Sequence, residues 1–484
     1  MDKVKFLLLT ISAAGVLSSC QTSSFKPSPA DNPWDDDYSA FIQNPEKWGT
    51  YNVHDPCVRK FGDTYYAYST DAVFFAPPKE GEERKPIKMG NIQMRKSKDL
   101  VNWDFLGWAF DSIPTDAWNY VHAISGDKTS RGLWAPFVYN YKGVYRMYYC
   151  LSTFGKKVSY IGLAESSSPE GPWEHKGCVV KTDDNSVMNA IDPTIIEDDE
   201  NHKLWMIYGS FFGGIFAMEL NPETGLALTE GDQGHLVAHR ANYQQDNMEA
   251  PEVIYNPDTK KYYLFVSYGP LVTTYNVRVL VADHPEGPYK DYFNTDPRNE
   301  VNTLPILTAP YRFEGHPGWA GLAHCSVFND GAGNYFIASQ GRLQPENMMM
   351  DLHIRRLFFN ADGWPLVSPE RFAGEQDITL TESDLYGIWE FITIKDNEQH
   401  RSGEDGQVAD NHLLPEETNV SKKIEISAQN ISDFAQNSFS LMVDNNKIKG
   451  VKVFAGHDWE LKTNTLLISA VDSCGFSLWG KKIK

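Results

Sequence analysis

Three acidic residues stand where short extended runs begin. HDP at 54–56 and NAIDP at 189–193 each place an aspartate before a proline, and NMEAPEVIY at 247–255 places Glu249 two residues before one. Carboxylates gathered in one place raise each other's pKa, so Asp55, Asp192 and Glu249, if they meet, form a group suited to acid–base chemistry. An isolated Asp-Pro is usually a strand-entry turn. The chemical reading therefore depends on elements that bring the three together.

Those elements repeat. HDPCVRKFGDTYYAYST, LWAPFVYNYKGVYRMYYCLS, AIDPTIIEDDENHKLWMIYGS, EAPEVIYNPDTKKYYLFVSYG and LAHCSVFNDGAGNYFIASQG share a short apolar strand, a polar turn and an aromatic-rich return strand. Asp55, Ala135, Asp192, Ala250 and Ala323 align as equivalent starts, with return strands opening at Tyr65, Tyr145, Leu204, Tyr262 and Tyr335. A second hairpin follows each first one, for example IQMRKSKDLVNWDFLG and VRVLVADHPEGPYKDY. Two hairpins make a four-stranded sheet, and five such sheets set radially make an all-β, five-bladed β-propeller, expected over residues 45–378. A sandwich would not return one motif five times in register.

In a propeller the first strand of each blade lines the channel, so the strand starts converge at one end of the axis. Asp55 and Asp192 occupy two of these starts and Glu249 adjoins a third. Side chains alternate along a strand, so Glu249 and Glu252, three apart, are expected on opposite faces. Glu252 aligns with Cys57 and Cys325 and reads as a packing or supporting group, which leaves Glu249 for the chemistry. His324, in the fifth repeat, reads by its residue type alone as a structural histidine. Trp134, Phe137 and Phe212 near the mouth offer flat faces for stacking on a ligand, and Asn189 and Ser210 offer hydrogen bonds; packing explains each equally well.

Beyond the propeller, EFITIKDNEQ, KKIEISAQN, SFSLMVDNN, KGVKVFAGHDWEL and TLLISAVDSCGFSLWG alternate apolar and polar residues. They are expected to form a small C-terminal β-barrel-like or β-sandwich domain over 379–484. The 484 residues, 41% of them hydrophobic, suffice for such cores. A net charge of -20 without clustered Lys/Arg argues against nucleic acid and for a neutral ligand.

The N-terminus has a basic start, an apolar run from Phe6 to Val16 and small residues before Cys20, the layout of a secretory signal. Leu17-Ser18-Ser19-Cys20 resembles the bacterial lipobox, so residues 1–20 are expected to be a lipoprotein signal ending at a lipid-modified Cys20. Residues 21–44, rich in Ser, Pro and Asp, read as a tether. The remaining cysteines show no CxxC spacing and are odd in number, which supports neither a zinc site nor a disulfide framework.

HDP, LWAP, NAIDP, YGSFFGGI, EAPEVIY with SYG beyond it, and His324 occur together in an order that resembles glycoside hydrolase family 43, particularly its endo-acting α-1,5-L-arabinanases. The resemblance covers the whole propeller. It implies Asp55 as general base, Glu249 as general acid, Asp192 as the group that tunes and orients that acid, and His54 among the substrate-binding residues. It also implies inversion, in which base and acid flank a water, and a calcium ion held by His324 and water.

Two departures bear on subsite preference: Phe137 stands where the family commonly has aspartate in WAPD, and Glu252 where it commonly has the tyrosine of EGPY. The segment DAVFFAPPKEGEERKPIKMG, 71–90, is placed to wall the cleft. The expected protein is an exported, outer-membrane-anchored monomer acting on arabinan. The alternatives are an exo-arabinanase, α-L-arabinofuranosidase or β-xylosidase on this scaffold, or a surface glycan-binding lipoprotein.

Overall fold

The computed structural model describes residues 28–29, 45–73, 90–240, 247–299, 302–345, 350–398, 413–444 and 446–484. The signal segment with Cys20, most of the tether and residues 74–89 of the expected cleft wall lie outside them. Ser28–Pro29, within the expected tether, pairs with Thr463 and Asn464 of the C-terminal domain.

The described residues are all-β apart from one helix, Thr115–Ser125, and short 3-10 turns. Its first four repeats each fold as an antiparallel four-stranded sheet in chain order. In the first repeat the strands are Cys57–Phe61, Thr64–Ser69, Asn91–Ser97 and Asp104–Phe110. Aromatic return strands such as Tyr65-Tyr66-Ala67-Tyr68 are buried between neighbouring sheets, where β-branched and aromatic side chains fill a pleated surface well.

The expectation of five equal four-stranded sheets is corrected here. The structure has four, and the fifth repeat is merged into a seven-stranded sheet. Ser326–Asn329, Tyr335–Leu343, Met350–Phe359 and Pro365–Val367 pair in hairpin order. Trp319–Ala320 joins the end of Tyr335–Leu343 and links through Tyr311–Arg312 to Asn419–Val420 beyond the propeller. The physical reason is an unblocked edge: Leu343 and Arg342 extend past the end of Ser326–Asn329 and pair there with Trp319 and Ala320.

The first and fifth repeats meet. The Val58 amide donates to Ser326 Oγ at 3.0 Å, Lys60 Nζ to the Asp330 carbonyl at 2.6 Å, and the Leu352 amide to the Thr50 carbonyl at 2.9 Å.

The C-terminal domain is a curled antiparallel sheet rather than a closed barrel. Its order runs Lys422–Ile426, Gly387–Ile394, Ser477–Lys482, Thr463–Val471, Asn446–Asp458, Ser438–Val443, Ile431–Ala435, and the two end strands do not pair with each other. They nevertheless meet in one core, since Ile426 and Ile431 pack with Trp389, Phe391, Phe439, Leu441 and Val453. Strand alternation sends Ile392 and Ile394 to the other face, where with Trp479 they join the core of the fourth and fifth repeats around Val277, Ile306, Tyr311 and Val367. The two domains therefore share an apolar interface.

Candidate active site

Five strand starts share one backbone irregularity. Asp55, Ala135, Asp192, Ala250 and His324 have φ of 51°, 41°, 58°, 54° and 50°, the left-handed region that costs a non-glycine residue roughly 1–3 kcal/mol. Strain at five equivalent positions marks a place where geometry serves more than folding. It also corrects the register of the fifth repeat, whose equivalent residue is His324 and not Ala323. Glu252 accordingly aligns with Cys57, Phe137, Thr194 and Ser326, each paired to its own return strand.

Asp55 is buried and fully engaged. His54 Nδ1 lies 2.7 Å from Oδ2, His324 Nδ1 lies 2.9 Å from Oδ1, and Thr70 Oγ1 donates to Oδ2 at 2.6 Å. Thr70 is itself fixed by the Ala135 amide at 2.7 Å. Burial pushes the Asp55 carboxyl up, but His324 and His54 outweigh it and hold the group well below the ordinary aspartate range. Asp55 is a committed carboxylate.

Glu249 differs. Tyr275 OH donates to Oε1 at 2.6 Å and Ser210 Oγ to Oε2 at 2.8 Å. Burial raises its pKa against both donors and against His324. Asp192, whose Oδ2 accepts the Ala250 amide at 3.2 Å, is pushed up to about 8 by burial, then by Glu249 and Asp55, with His324 opposing. Asp192 and Glu249 are thus both pushed toward the protonated form, beside an Asp55 held toward the ionised one. His324 is raised to about 9: burial lowers it, but Asp55 and Asp192 raise it more.

Of the expected substrate contacts, His54 and Trp134 border the site and remain partly exposed, as does Phe212. Ser210 holds Glu249. Asn189 is 4% exposed and accepts a hydrogen bond from Ser159 Oγ at 2.6 Å. Phe137 is not at the mouth; it is buried beneath the Arg59 guanidinium, 4.4 Å from the ring centre. Its strand ladder shifts register between Trp134 and Phe137, which turns Phe137 into the axis below the site.

The same irregularity separates Glu249 from Glu252. The expectation that alternation turns Glu252 off the channel is therefore corrected, because a bulge resets the face. Both glutamates reach toward the axis, at different depths.

Sequence reasoning missed Thr70, Tyr275 and Arg342. Arg342 is buried, with its pKa lowered to about 10 by burial while Asp55 and Tyr275 oppose. None stands at a strand start: Thr70 follows Thr64–Ser69, Tyr275 precedes Asn276–Ala282, and Arg342 lies at the end of Tyr335–Leu343. Phe154, 77% exposed in the loop after Val144–Ser152, was also missed.

Residues 42–365 match the family described as glycosyl hydrolases family 43, and 369–480 match a C-terminal lipocalin-like domain of that family. The chain belongs to glycosyl hydrolase family 43.

This family 43 hydrolase is 31% identical over 385 residues to the extracellular endo-α-(1→5)-L-arabinanase of Thermotoga petrophila, covering 70% of this chain and 75% of that protein. It is 27% identical to the extracellular endo-α-(1→5)-L-arabinanase 2 of Bacillus subtilis, covering 89% and 93%. The crystal structure of the Thermotoga petrophila endo-1,5-α-L-arabinanase superposes with a TM-score of 0.72 at 26% identity, covering 89% of this chain and 98% of that one.

For a calcium ion at this hydrolase's His324, Nδ1 is taken by Asp55 and only Nε2 is left as a donor. The described residues gather three carboxyl ligand atoms at Glu370, Asp458 and Glu460, not here. Calcium prefers oxygen, so the donor set fits only an ion coordinated mainly by water. Asp55, with the Asp192 and Glu249 carboxyls beside it, would supply negative field for such an ion, and His324 would have to give up the proton that Asp55 and Asp192 favour on its ring.

Proposed function

We propose that this enzyme hydrolyses α-1,5-L-arabinofuranosidic bonds within arabinan by single displacement with inversion. One observation carries the assignment of roles: His54 and His324 both contact Asp55 and favour its ionised form, whereas Glu249 meets only the Tyr275 and Ser210 hydroxyls and is pushed by burial toward the protonated form. Asp55 removes a proton from the attacking water, and Glu249 protonates the departing glycosidic oxygen. Asp192 raises and orients that acid, and also fixes its strand through the Ala250 amide. Trp134, Phe212, Phe154 and His54 border the path of the furanose chain.

His324 Nε2 would hold a calcium ion, which when bound supplies positive charge beside the carboxylates. The fifth repeat acts as the fifth blade, supported by its seams to the first and fourth. Export is supported by relatives named extracellular, and lipid on Cys20 by the lipobox-like Leu17–Cys20; the enzyme acts as a monomer.

The test is product analysis on linear arabinan. Mixed-length oligosaccharides at early times with anomeric inversion are expected, and arabinose alone would replace endo with exo action. Glu249→Gln is expected to lose about 10³-fold or more in kcat while still binding arabinan. Unchanged hydrolysis would end the assignment, and a chelator that leaves both activity and melting temperature unchanged would remove calcium from it.

A further inference from the structure

Glu252 and Arg59 form a buried ion pair in the propeller axis, and it reaches every repeat. Glu252, 3% exposed, accepts from Arg59 Nη2 at 2.8 Å and the Val327 amide at 3.0 Å through Oε1, and from Thr194 Oγ1 at 3.2 Å through Oε2. Arg59 also donates from Nη1 to Ser326 Oγ at 2.7 Å and covers the ring of Phe137. Residues of the first, second, third, fourth and fifth repeats are thus joined through one pair.

Their places in the sequence matter. Phe137, Thr194, Glu252 and Ser326 each lie two residues beyond the strained starts Ala135, Asp192, Ala250 and His324. Around Glu249 the link is tighter. The strand ladder pairs Glu249 with Ser267 and resumes only at Glu252 with Phe265, so the sheet itself does not hold Ala250 and Pro251. Glu252 is the downstream anchor of the bulge that carries Glu249. An apolar plug would fill the axis equally well, whereas an ion pair with directional hydrogen bonds fixes geometry at a desolvation cost.

We propose that Glu252, paired with Arg59, is a positioning residue that sets where Glu249 stands relative to Asp55. The inference rests on the acid/base reading above. Displacement of a catalytic group by about 1 Å costs on the order of 10²-fold, and a displaced acid penalises only leaving groups that need its proton.

Glu252→Ala and the near-isosteric Glu252→Gln are compared with Glu249→Gln on linear arabinan and on a nitrophenyl α-1,5-arabinotrioside, whose leaving group departs without protonation. For Glu252→Ala, kcat on arabinan is expected to fall roughly 30–100-fold with KM within about 3-fold, against a loss under about 5-fold on the aryl substrate. Glu252→Gln, which keeps an acceptor for Arg59 or Val327, falls between. Should Glu252→Ala fail to fold, the split in Glu252→Gln decides. Equal losses on both substrates while Glu249→Gln discriminates between them would overturn the positioning role. A Glu249→Gln variant that does not discriminate would instead overturn the acid assignment.

Discussion

Lys481→Met isolates the buried charge cluster that joins the two domains. Lys481 Nζ is fully buried, 3.2 Å from Glu370, 2.9 Å from Asp458 and in contact with Glu460, and it lies 4.1 Å from the centre of the Phe313 ring. Glu370 follows the last strand of the fifth repeat, while the other two acids come from the C-terminal domain. Burial and then Glu460 hold Glu370 well above the ordinary range, so it keeps its proton. Burial also raises Glu460, but Lys481 overrides this and holds it at about 2 against 4.5.

At 1.36 kcal/mol per unit, that depression corresponds to about 3 kcal/mol, present above pH 4.5 and lost as pH falls toward 2. Removing the ammonium leaves the carboxylates buried without a counter-ion, a change that costs about 3–5 kcal/mol. The assay is urea unfolding of wild type and variant at pH 7 and pH 5. Orphaned carboxyls have folded pKa values raised above their unfolded ones, so the stability they withhold at pH 7 returns as pH falls. The variant's deficit is therefore expected to shrink at pH 5. A deficit under about 1 kcal/mol at pH 7, or one that grows on acidification, refutes the reasoning.

Tyr275→Phe removes the donor to Glu249 Oε1; because that bond lowers the acid's pKa, the basic limb of the kcat/KM profile is expected to move to higher pH, and a downward shift or none contradicts the pairing. Phe154→Ala, at the exposed ring in the loop after Val144–Ser152, is expected to raise KM for arabinan about tenfold with kcat preserved, as lost stacking of about 1 kcal/mol or slightly more implies; an unchanged KM would route the substrate elsewhere.

Much of the site was legible because a repeat makes equivalent positions comparable. Once five hairpins are aligned, Asp55, Asp192 and Glu249 fall together, but the alternation used to set Glu249 apart from Glu252 fails across the bulge between them. The fifth alignment slipped by one because LAHCSV lacks the proline that marks the other four starts, and φ at His324 restored it. Tyr275 and Arg342 escaped because nothing local distinguishes a buried tyrosine or arginine on a strand from one that merely packs. The C-terminal β-domain was legible from alternation, but alternation does not say whether a sheet closes.

The sequence by itself determined the repeat, the all-β class and the carboxylates at the strand starts, because these follow from periodicity and residue type along the chain. Only the tertiary structure decided that Glu252 returns to the axis, that Phe137 lies beneath Arg59 and that Asp192 and Glu249 are pushed toward protonation while Asp55 is not. Bulges and left-handed residues break the period of two locally. Burial among charges from other repeats sets protonation, and that depends on neighbours far apart in sequence.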